Sequence, residues 1–321
     1  MSLQSQGRKI DYLRLSITDK CNLRCRYCMP EQGLPPKEHH QLLSVEETIR
    51  LLKLFGELGI NKLRITGGEP LISRRLYPLL EGLQPLRFSD IALTTNGQLL
   101  TEQADKLKAA GVQRLNISLD TLRPERFAWL SRGGKLADTL DGLAAALQAG
   151  FAPVKINCVI VKGYNDDEIE AIASLAKNQP LGVRFIEFMP IGQNSLWSEQ
   201  NFFDLNQAKQ RLAKLGELRP IKLAGNGPAE TYQISGYKGS IGFIAAISNH
   251  FCHRCNRLRL TADGKLYPCL HSALSVDLLT PLRTGASDAK LQQLICQAVN
   301  QKPLQYEKWG AQKRDMNRLG G

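Results

Sequence analysis

Two compact groups of cysteines carry the clearest chemical signal in this sequence. Six of the eight cysteines belong to them, spaced C-x3-C-x2-C near the start and C-x2-C-x13-C near the end: Cys21, Cys25, Cys28, Cys252, Cys255 and Cys269. Thiolates at such spacing bind zinc or iron–sulfur clusters. Cys158 and Cys296 stand alone, and we interpret them as buried thiols without a chemical role.

The first triplet, Cys21 to Cys28, has no histidine close enough to complete a tetrahedral zinc site. His39 and His40 follow Cys28 only after eleven residues or more. A structural zinc site takes four ligands, whereas three thiolates can hold a four-iron cluster and leave one iron open to another molecule. We therefore interpret the first triplet as a reactive iron–sulfur site.

The second triplet, Cys252 to Cys269, leaves two interpretations open. His250, His253 and His271 lie close to its cysteines, so three cysteines and one histidine would suit a structural zinc ion. The same three cysteines would also suit an incomplete iron–sulfur ligand set. Spacing alone does not separate these alternatives.

The elements that must position the first triplet alternate between short strands and helices. A capping box at Ser44 and Glu47 predicts a helix that begins after Ser44 and ends at Gly59. We predict strands at residues 13–18, 62–66, 91–95, 114–119, 154–161 and 183–189, and further helices at 102–110, 138–149 and 166–177. Such alternation indicates an α/β fold with a parallel sheet and right-handed crossovers.

Polar and apolar residues alternate along these strands, although strands of a fully covered parallel sheet should be apolar on both faces. The polar positions are Arg14, Ser16, Thr18, Lys62, Arg64, Thr66, Asn116, Ser118, Lys155 and Asn157. A closed eight-stranded barrel fills its interior with branched apolar side chains. Six strands with a polar inner face therefore predict an open barrel whose lumen holds a large polar ligand. The alternative is a flat, open sheet with one face exposed to solvent.

The alternation stops after Pro190, which predicts a division of the chain into two parts. We assign residues 1–190 to the partial barrel and residues 191–321 to a smaller domain around the second triplet. In that smaller domain we predict a helix at 205–215 and strands at 231–234 and 240–244. The final Gly320-Gly321 would ordinarily be a frayed tail.

Charge and composition restrict the possible partners. Lysine and arginine total 42 against 30 aspartate and glutamate, a net charge of +12 over 321 residues, which favours an anionic partner. The positive charge is dispersed, and the chain contains no recognisable RNA-binding module, so we expect no nucleic-acid partner. No apolar run approaches the ~18 residues of a membrane span, and the start has no secretory pattern. We expect a cytoplasmic protein without a membrane partner.

Two motifs resemble those of the radical S-adenosylmethionine superfamily. Cys21-Asn-Leu-Arg-Cys-Arg-Tyr-Cys28 resembles its cluster-binding motif, and Thr66-Gly-Gly-Glu-Pro70 follows the second strand, where the superfamily carries Gly-Gly-Glu. Nearly the whole chain is similar to one family within it, the GTP 3′,8-cyclases, also called molybdenum cofactor biosynthesis protein A. The segments that carry this closer resemblance are 11–21, 63–70, 184–190, 252–264, 268–270 and the terminal 320–321.

This resemblance implies an incomplete (β/α)6 TIM-like barrel with a smaller C-terminal cluster-binding domain. It implies two [4Fe-4S] clusters, one on each triplet, and S-adenosyl-L-methionine at the open iron of the first. The implied lyase reaction begins when a 5′-deoxyadenosyl radical removes the 3′ hydrogen of GTP. The C3′ radical then attacks C8 of guanine and gives (8S)-3′,8-cyclo-7,8-dihydroguanosine 5′-triphosphate, in the first step of molybdenum cofactor biosynthesis.

The resemblance also assigns roles to individual residues. It implies contacts with S-adenosylmethionine at Tyr27, Gly68, Ser118 and Met189. It implies contacts with GTP at Arg14, Arg64, Thr95, Lys155, Arg257, Leu258 and Arg259. In this family the Gly-Gly tail enters the active site. No G-x4-G-K-[ST] motif occurs, so binding of the nucleotide must depend on the barrel cations and the second cluster.

Partners follow from the same resemblance: a reduced flavodoxin- or ferredoxin-type electron donor, cyclic pyranopterin monophosphate synthase as the next enzyme, and a second copy of the chain in a homodimer. Two alternative functions are compatible with the cysteine triplets. One is another radical S-adenosylmethionine enzyme with an auxiliary cluster, acting on RNA or a peptide. The other is a non-catalytic binding protein stapled by zinc at both triplets.

Overall fold

The computed structural model describes residues 3–35, 37–191, 198–222, 227–305 and 316–320. Twelve strands in these residues form one continuous sheet, and two more form a small hairpin. The strands are β1 (Gln4–Ser5), β2 (Arg8–Lys9), β3 (Tyr12–Ser16), β4 (Lys62–Thr66), β5 (Asp90–Thr95), β6 (Arg114–Ser118), β7 (Val154–Ile160), β8 (Leu181–Glu187), β9 (Leu218–Pro220), β10 (Glu230–Ile234), β11 (Ser240–Ile244), β12 (Arg257–Leu260), β13 (Lys265–Tyr267) and β14 (Val276–Asp277).

Ten α-helices accompany the strands in the described residues. They are α1 (Val45–Glu57), α2 (Leu76–Leu83), α3 (Leu100–Ala109), α4 (Pro124–Ser131), α5 (Leu136–Gln148), α6 (Ile169–Ser174), α7 (Leu205–Leu212), α8 (Leu279–Arg283), α9 (Asp288–Asn300) and α10 (Met316–Leu319). None of the helices so described is long and apolar enough to cross a lipid bilayer.

The predicted partial barrel is confirmed. All six predicted strands are present as β3 to β8, and each pairs in parallel with the next. The capping box at Ser44 starts α1 as predicted, with its hydroxyl accepting from the Glu47 amide. Apolar residues on the outer face of the strands, such as Leu13 and Leu63, are fully buried in the core that the helices cover. The result is an α/β fold of the TIM-like kind.

Two strands from the C-terminal part extend the parallel sheet at both of its edges. β12 pairs in parallel with β3, and β11 pairs in parallel with β8. Antiparallel strands then complete the sheet in the order β14-β13-β12-β3-β4-β5-β6-β7-β8-β11-β10-β9. The C-terminal part thus shares backbone hydrogen bonds with the barrel. The division at residue 190 remains a prediction.

The structure shortens two of the predicted helices and adds others that were not predicted. The predicted helix at 166–177 is a short 3-10 turn followed by α6, which ends at Ser174 because the next amides bond three rather than four residues back. The predicted helix at 205–215 ends as α7 at Leu212 and continues as a 3-10 turn. The sequence patterns also missed α2, α4 and α9.

Candidate active site

One large cavity lies inside the open barrel and receives the polar face of its strands. Its volume is about 780 Å³, within the range of small-molecule sites. The cysteines of both triplets line it, although they lie more than two hundred residues apart in the sequence. Cys158, by contrast, is fully buried in the apolar core, as expected of a structural thiol.

The first triplet lies on the loop that follows β3. Backbone bonds hold this loop against the end of α4, since the amides of Arg24 and Arg26 donate to the carbonyls of Ser131 and Leu130 at 3.1 and 2.9 Å. The Cys28 amide donates to the Cys25 carbonyl at 2.8 Å. Burial raises the pKa of the Cys21 thiol to about 11, so binding of a metal there must release protons.

The Gly67-Gly68-Glu69 turn packs directly against the cysteine loop. A Cβ on Gly68 would collide with the Lys20 carbonyl oxygen, so only glycine fits this approach. The Glu69 carboxylate accepts from the Asn96 amide at 2.7 Å, the Thr95 hydroxyl at 2.8 Å and the Leu71 amide at 3.0 Å. Burial nevertheless raises the pKa of Glu69 to about 7. This carboxylate is held rigidly at the cavity wall.

Register places cations side by side on three adjacent strands of the barrel. Arg259 on β12 is opposite Arg14 on β3, which is opposite Arg64 on β4. Burial lowers the pKa of Arg14 well below its usual range, and the charges of Arg259 and Arg64 lower it further. Burial and the charge of Arg257 lower the pKa of Arg259 to about 10. Such a row of cations, of which Arg14 and Arg259 are buried, suits a polyanion.

The opposite wall of the barrel adds two further cations, Lys155 on β7 and Arg184 on β8. Burial and the charge of Arg184 lower the pKa of Lys155 to about 6, and burial lowers that of Arg184 to about 9. Among the described residues, no carboxylate forms an ion pair with Lys155, Arg184 or Arg64. Lys62 and Arg114, by contrast, are paired with aspartates.

Several buried polar atoms on the cavity wall have no hydrogen-bond partner within the described part of the chain. They are the Tyr12 hydroxyl, Arg64 Nε, the Thr94 hydroxyl and Asn157 Oδ1. Buried polar groups without partners are costly and rare in folded proteins. The wall is therefore built for a polar ligand, which fits the lumen predicted from the alternating strands.

The second triplet lies across the cavity, on the loops that flank β12 and β13. Cys252 starts a 3-10 turn, Cys255 precedes β12, and Cys269 follows β13. Burial alone would raise the pKa of Cys255, but the charges of Arg257 and Lys302 lower it to about 6. Within the described residues, no three His, Cys, Asp or Glu side chains are arranged as ligands of a single metal ion.

Comparison with known proteins decides the family. The radical SAM superfamily profile matches residues 15–176, and the profile described as Molybdenum Cofactor Synthesis C matches residues 181–308. A GTP 3′,8-cyclase of Heliobacterium modesticaldum is 48% identical over 324 residues, covering 98% of each chain. Those of Pelotomaculum thermopropionicum and Moorella thermoacetica are 47% and 46% identical, again with 98% of each chain covered.

The chain belongs to the GTP 3′,8-cyclase family. Solved radical S-adenosylmethionine enzymes share its fold at low sequence identity. SuiB of Streptococcus suis bound to S-adenosylmethionine has a TM-score of 0.60 at 15% identity, covering 84% of this chain. This chain spans 65% of SuiB. The protein anSMEcpe with bound AdoMet has a TM-score of 0.54 at 13% identity, covering 88% of this chain and 76% of its own.

The residues that the cyclase family assigns to S-adenosylmethionine meet in the structure. Tyr27, Gly68, Ser118 and Met189 all line the cavity. The Tyr27 hydroxyl donates to Asp120 Oδ2 at 2.6 Å. Met189 packs against a small apolar cluster of Ile191, Tyr267 and Leu319. Their contacts with S-adenosylmethionine remain predictions.

Of the seven residues that the cyclase family assigns to GTP, six line the cavity: Arg14, Arg64, Thr95, Lys155, Arg257 and Arg259. Leu258 does not. Because side chains alternate along β12, that of Leu258 points to the opposite face and is fully buried in the core. The contact between Leu258 and GTP remains a prediction, and with its side chain in the core such a contact would come from its backbone. Thr95 is already engaged with Glu69 through its hydroxyl.

The end of the chain enters the cavity as the cyclase family implies for its Gly-Gly tail. The Gly320 carbonyl accepts from Arg14 Nη2 at 2.7 Å and from Arg259 Nη1 at 3.0 Å. Leu319 is buried beside Ile191 in the small apolar cluster. The tail residue Gly321 lies outside the described residues.

The sequence patterns missed several cavity residues that the structure adds, among them Tyr12, Arg184 and Lys302. Arg184 lies in a predicted strand and alternates with Val183 and Phe185, so the same pattern that placed Lys155 would have placed it. Lys302 lies in a loop beyond α9, and no local pattern could have assigned it to this cavity.

Proposed function

We propose that the cavity between the two cysteine triplets is where cyclisation of GTP takes place. As a member of its family the chain is a GTP 3′,8-cyclase, a radical S-adenosylmethionine lyase of molybdenum cofactor biosynthesis that uses two [4Fe-4S] clusters. The observation that carries the proposal is that both triplets and a row of cations line one cavity. One site can therefore hold a radical source, a triphosphate and a second cluster at once.

Cys21, Cys25 and Cys28 would hold the first cluster, and their number leaves one iron open for S-adenosylmethionine. When bound, this cluster and S-adenosylmethionine together supply the 5′-deoxyadenosyl radical that removes hydrogen from the substrate. The chain's own part is to hold the reactants in place. Gly68 lets the cysteine loop pack closely against the turn after β4, and the barrel wall would shield the reactants from water.

Arg14, Arg64, Lys155, Arg257 and Arg259 would neutralise the triphosphate. Because they lie on both walls of the barrel, these side chains would also hold the nucleotide in one orientation. Correct orientation of the reacting groups is a large part of catalysis by proximity. The second triplet would hold the second cluster, whose open iron would bind the guanine base. On this proposal residues 1–190 supply the radical source, and residues 191–321 supply the second triplet.

An anaerobic assay tests the proposal. After reconstitution, two four-iron clusters imply about eight irons per chain. With reductant, S-adenosylmethionine and GTP, we expect 5′-deoxyadenosine and the cyclised nucleotide to form together. About four irons per chain, with 5′-deoxyadenosine formed whether or not GTP is present, would contradict the role of the second triplet.

We further propose that a small acidic electron-transfer protein of the flavodoxin or ferredoxin type docks beside the first triplet. Arg26 stacks over the ring of Trp129 at 4.2 Å, and Trp129 is 42% exposed. Arg24 is exposed on the same loop. A basic surface with an exposed aromatic side chain next to the cluster site complements an acidic partner.

Charge reversal tests this docking surface. Arg24→Glu should raise the protein donor's KM far more than it changes turnover driven by the small reductant dithionite. Lys53→Glu, an equal change at an exposed site on α1, serves as the control. If both variants respond alike to the protein donor, the docking site lies elsewhere.

The family also leads us to propose that the chain works in the cytoplasm as a homodimer without a nucleic-acid partner, and passes its product to cyclic pyranopterin monophosphate synthase. Sedimentation of the reconstituted protein tests the dimer. Conversion of the purified product by that synthase tests the product's identity.

A further inference from the structure

Two buried cations, Arg8 and Lys302, lie behind the second triplet and take no part in the reaction as described above. Lys302 is 2% exposed and Arg8 is 7% exposed. In the part of the chain that the structure describes, neither forms an ion pair with a carboxylate. Because a buried cation without an anionic partner is costly, these positions call for negative charge nearby.

Lys302 fastens two of the cysteine-bearing loops to each other. Its ammonium donates to the Arg257 carbonyl and to the Pro268 carbonyl, both at 2.7 Å. Arg257 follows Cys255 by two residues, and Pro268 directly precedes Cys269. The positive charge of Lys302 also lies near the Cys255 thiol. This lysine therefore holds two cysteine-bearing loops through their carbonyls.

Arg8 fastens the remaining cysteine loop to the segment that carries Lys302. Its Nη1 donates to the Cys252 carbonyl at 2.8 Å and to the Pro303 carbonyl at 2.9 Å. Its Nη2 donates to the Lys302 carbonyl at 3.2 Å. Arg8 belongs to the β1–β2 hairpin, so the extreme N-terminus reaches across the molecule to the C-terminal triplet.

We propose that Lys302 and Arg8 are positioning residues for the second cluster. Together they bind the backbone beside each of its three cysteines and place two positive charges at its edge. This inference rests on the proposed function, because it takes the second triplet as the cluster's ligands.

The bonds to the three loops and the two positive charges should each affect the cluster. Fixed loops hold the three sulfurs at their positions before the cluster enters, and outer partners of this kind govern metal retention. Positive charge beside a cluster favours its more negative, reduced state and so raises its reduction potential. The first cluster, on the far side of the cavity, should not respond.

A full-length parent with Cys21→Ala, Cys25→Ala and Cys28→Ala isolates the second triplet for the test. Lys302→Met in this parent removes the charge and the bonds to both carbonyls while keeping about the same length of side chain. We expect about 10- to 100-fold weaker retention of the cluster against a chelator. We also expect a more negative midpoint potential by redox titration and an altered electron paramagnetic resonance signal upon addition of GTP. Arg8→Gln should weaken retention in the same direction.

Lys290→Met, an exposed position on the nearby helix α9, is the matched control and should behave like the parent. Equal retention and equal potential in Lys302→Met and the parent would overturn the inference. So would a large fall in the melting temperature of the metal-free Lys302→Met protein, since that would show a merely structural role. A parent that binds no iron at all would overturn the proposed function and this inference together.

Discussion

Binding of GTP should draw one proton into the cavity, because Lys155 is largely uncharged until the triphosphate arrives. Burial and the charges of Arg184, Arg114 and Arg64 lower its pKa to about 6, and only Asp90 opposes them. At pH 7.5 a group with that pKa is only about 3% protonated. Four negative charges on GTP would move its pKa back toward the usual value of about 10.4.

The low pKa of Lys155 makes the affinity for GTP depend on pH. Between these two pKa values the lysine is neutral before binding and charged afterwards, so binding takes up one proton and weakens as the pH rises. The Kd should increase about tenfold per pH unit, equivalent to ~1.4 kcal/mol. Arg184, with a pKa of about 9, should add to this slope only above that pH.

Anaerobic titration calorimetry of the reconstituted protein between pH 7.5 and 8.5 measures this slope, in a range where GTP is fully ionised. Comparison of phosphate with Tris buffer counts the protons, because the two buffers release different heats. Lys155→Met should flatten the slope, whereas Lys162→Met, an exposed control just beyond β7, should not. A Kd independent of pH, with equal heats in both buffers, would refute the reasoning.

Four further predictions concern Cys269, two arginines and Gly68 of the site, and Gly56 in α1. Cys269→Ser should abolish cyclisation of GTP while about four irons per chain remain at the first triplet, and unchanged cyclisation would argue against its role. Arg257→Ala and Arg259→Ala should each raise the KM for GTP about tenfold or more, since a hydrogen bond to a charged group contributes about 1.5–3 kcal/mol. An equal rise for S-adenosylmethionine would indicate a folding defect instead. Gly68→Ala should abolish assembly of the first cluster, as measured by iron content, because the new methyl group would displace the cysteine loop at Lys20. Gly56→Ala, inside α1 with nothing near the new methyl group, should raise stability by up to ~1 kcal/mol in a denaturant titration.

The sequence predicts the barrel well because each strand carries its own local signal. Alternation of Arg14 with Leu13 and Leu15 shows both that the segment is a strand and which face turns inward, and the structure bears out both. The short strand β12 has the same alternation, but its four residues and its distance from β3 in the chain hide the pairing. A local sequence pattern shows that a segment is a strand, but it does not show which other strand pairs with it.

The same distinction explains what could be predicted of the site. Inward cations such as Lys155 follow from strand alternation alone. Leu258 was included because a three-residue segment was carried over whole from the family resemblance, and alternation along β12 places its side chain on the opposite face, in the core. Arg8 and Lys302 could not be predicted at all, because their role arises from contacts between loops at opposite ends of the chain.

The pairing of β12 with β3 has a consequence for synthesis of the protein. β3 is among the first strands to leave the ribosome, yet one of its edges stays open until β12 follows roughly 240 residues later. At about 5–20 residues per second, that edge is exposed for roughly 12 to 50 s. An open strand edge is a template for pairing with other chains. A chain that ends before residue 257 therefore lacks β12, and its unpaired β3 edge should make it prone to aggregate.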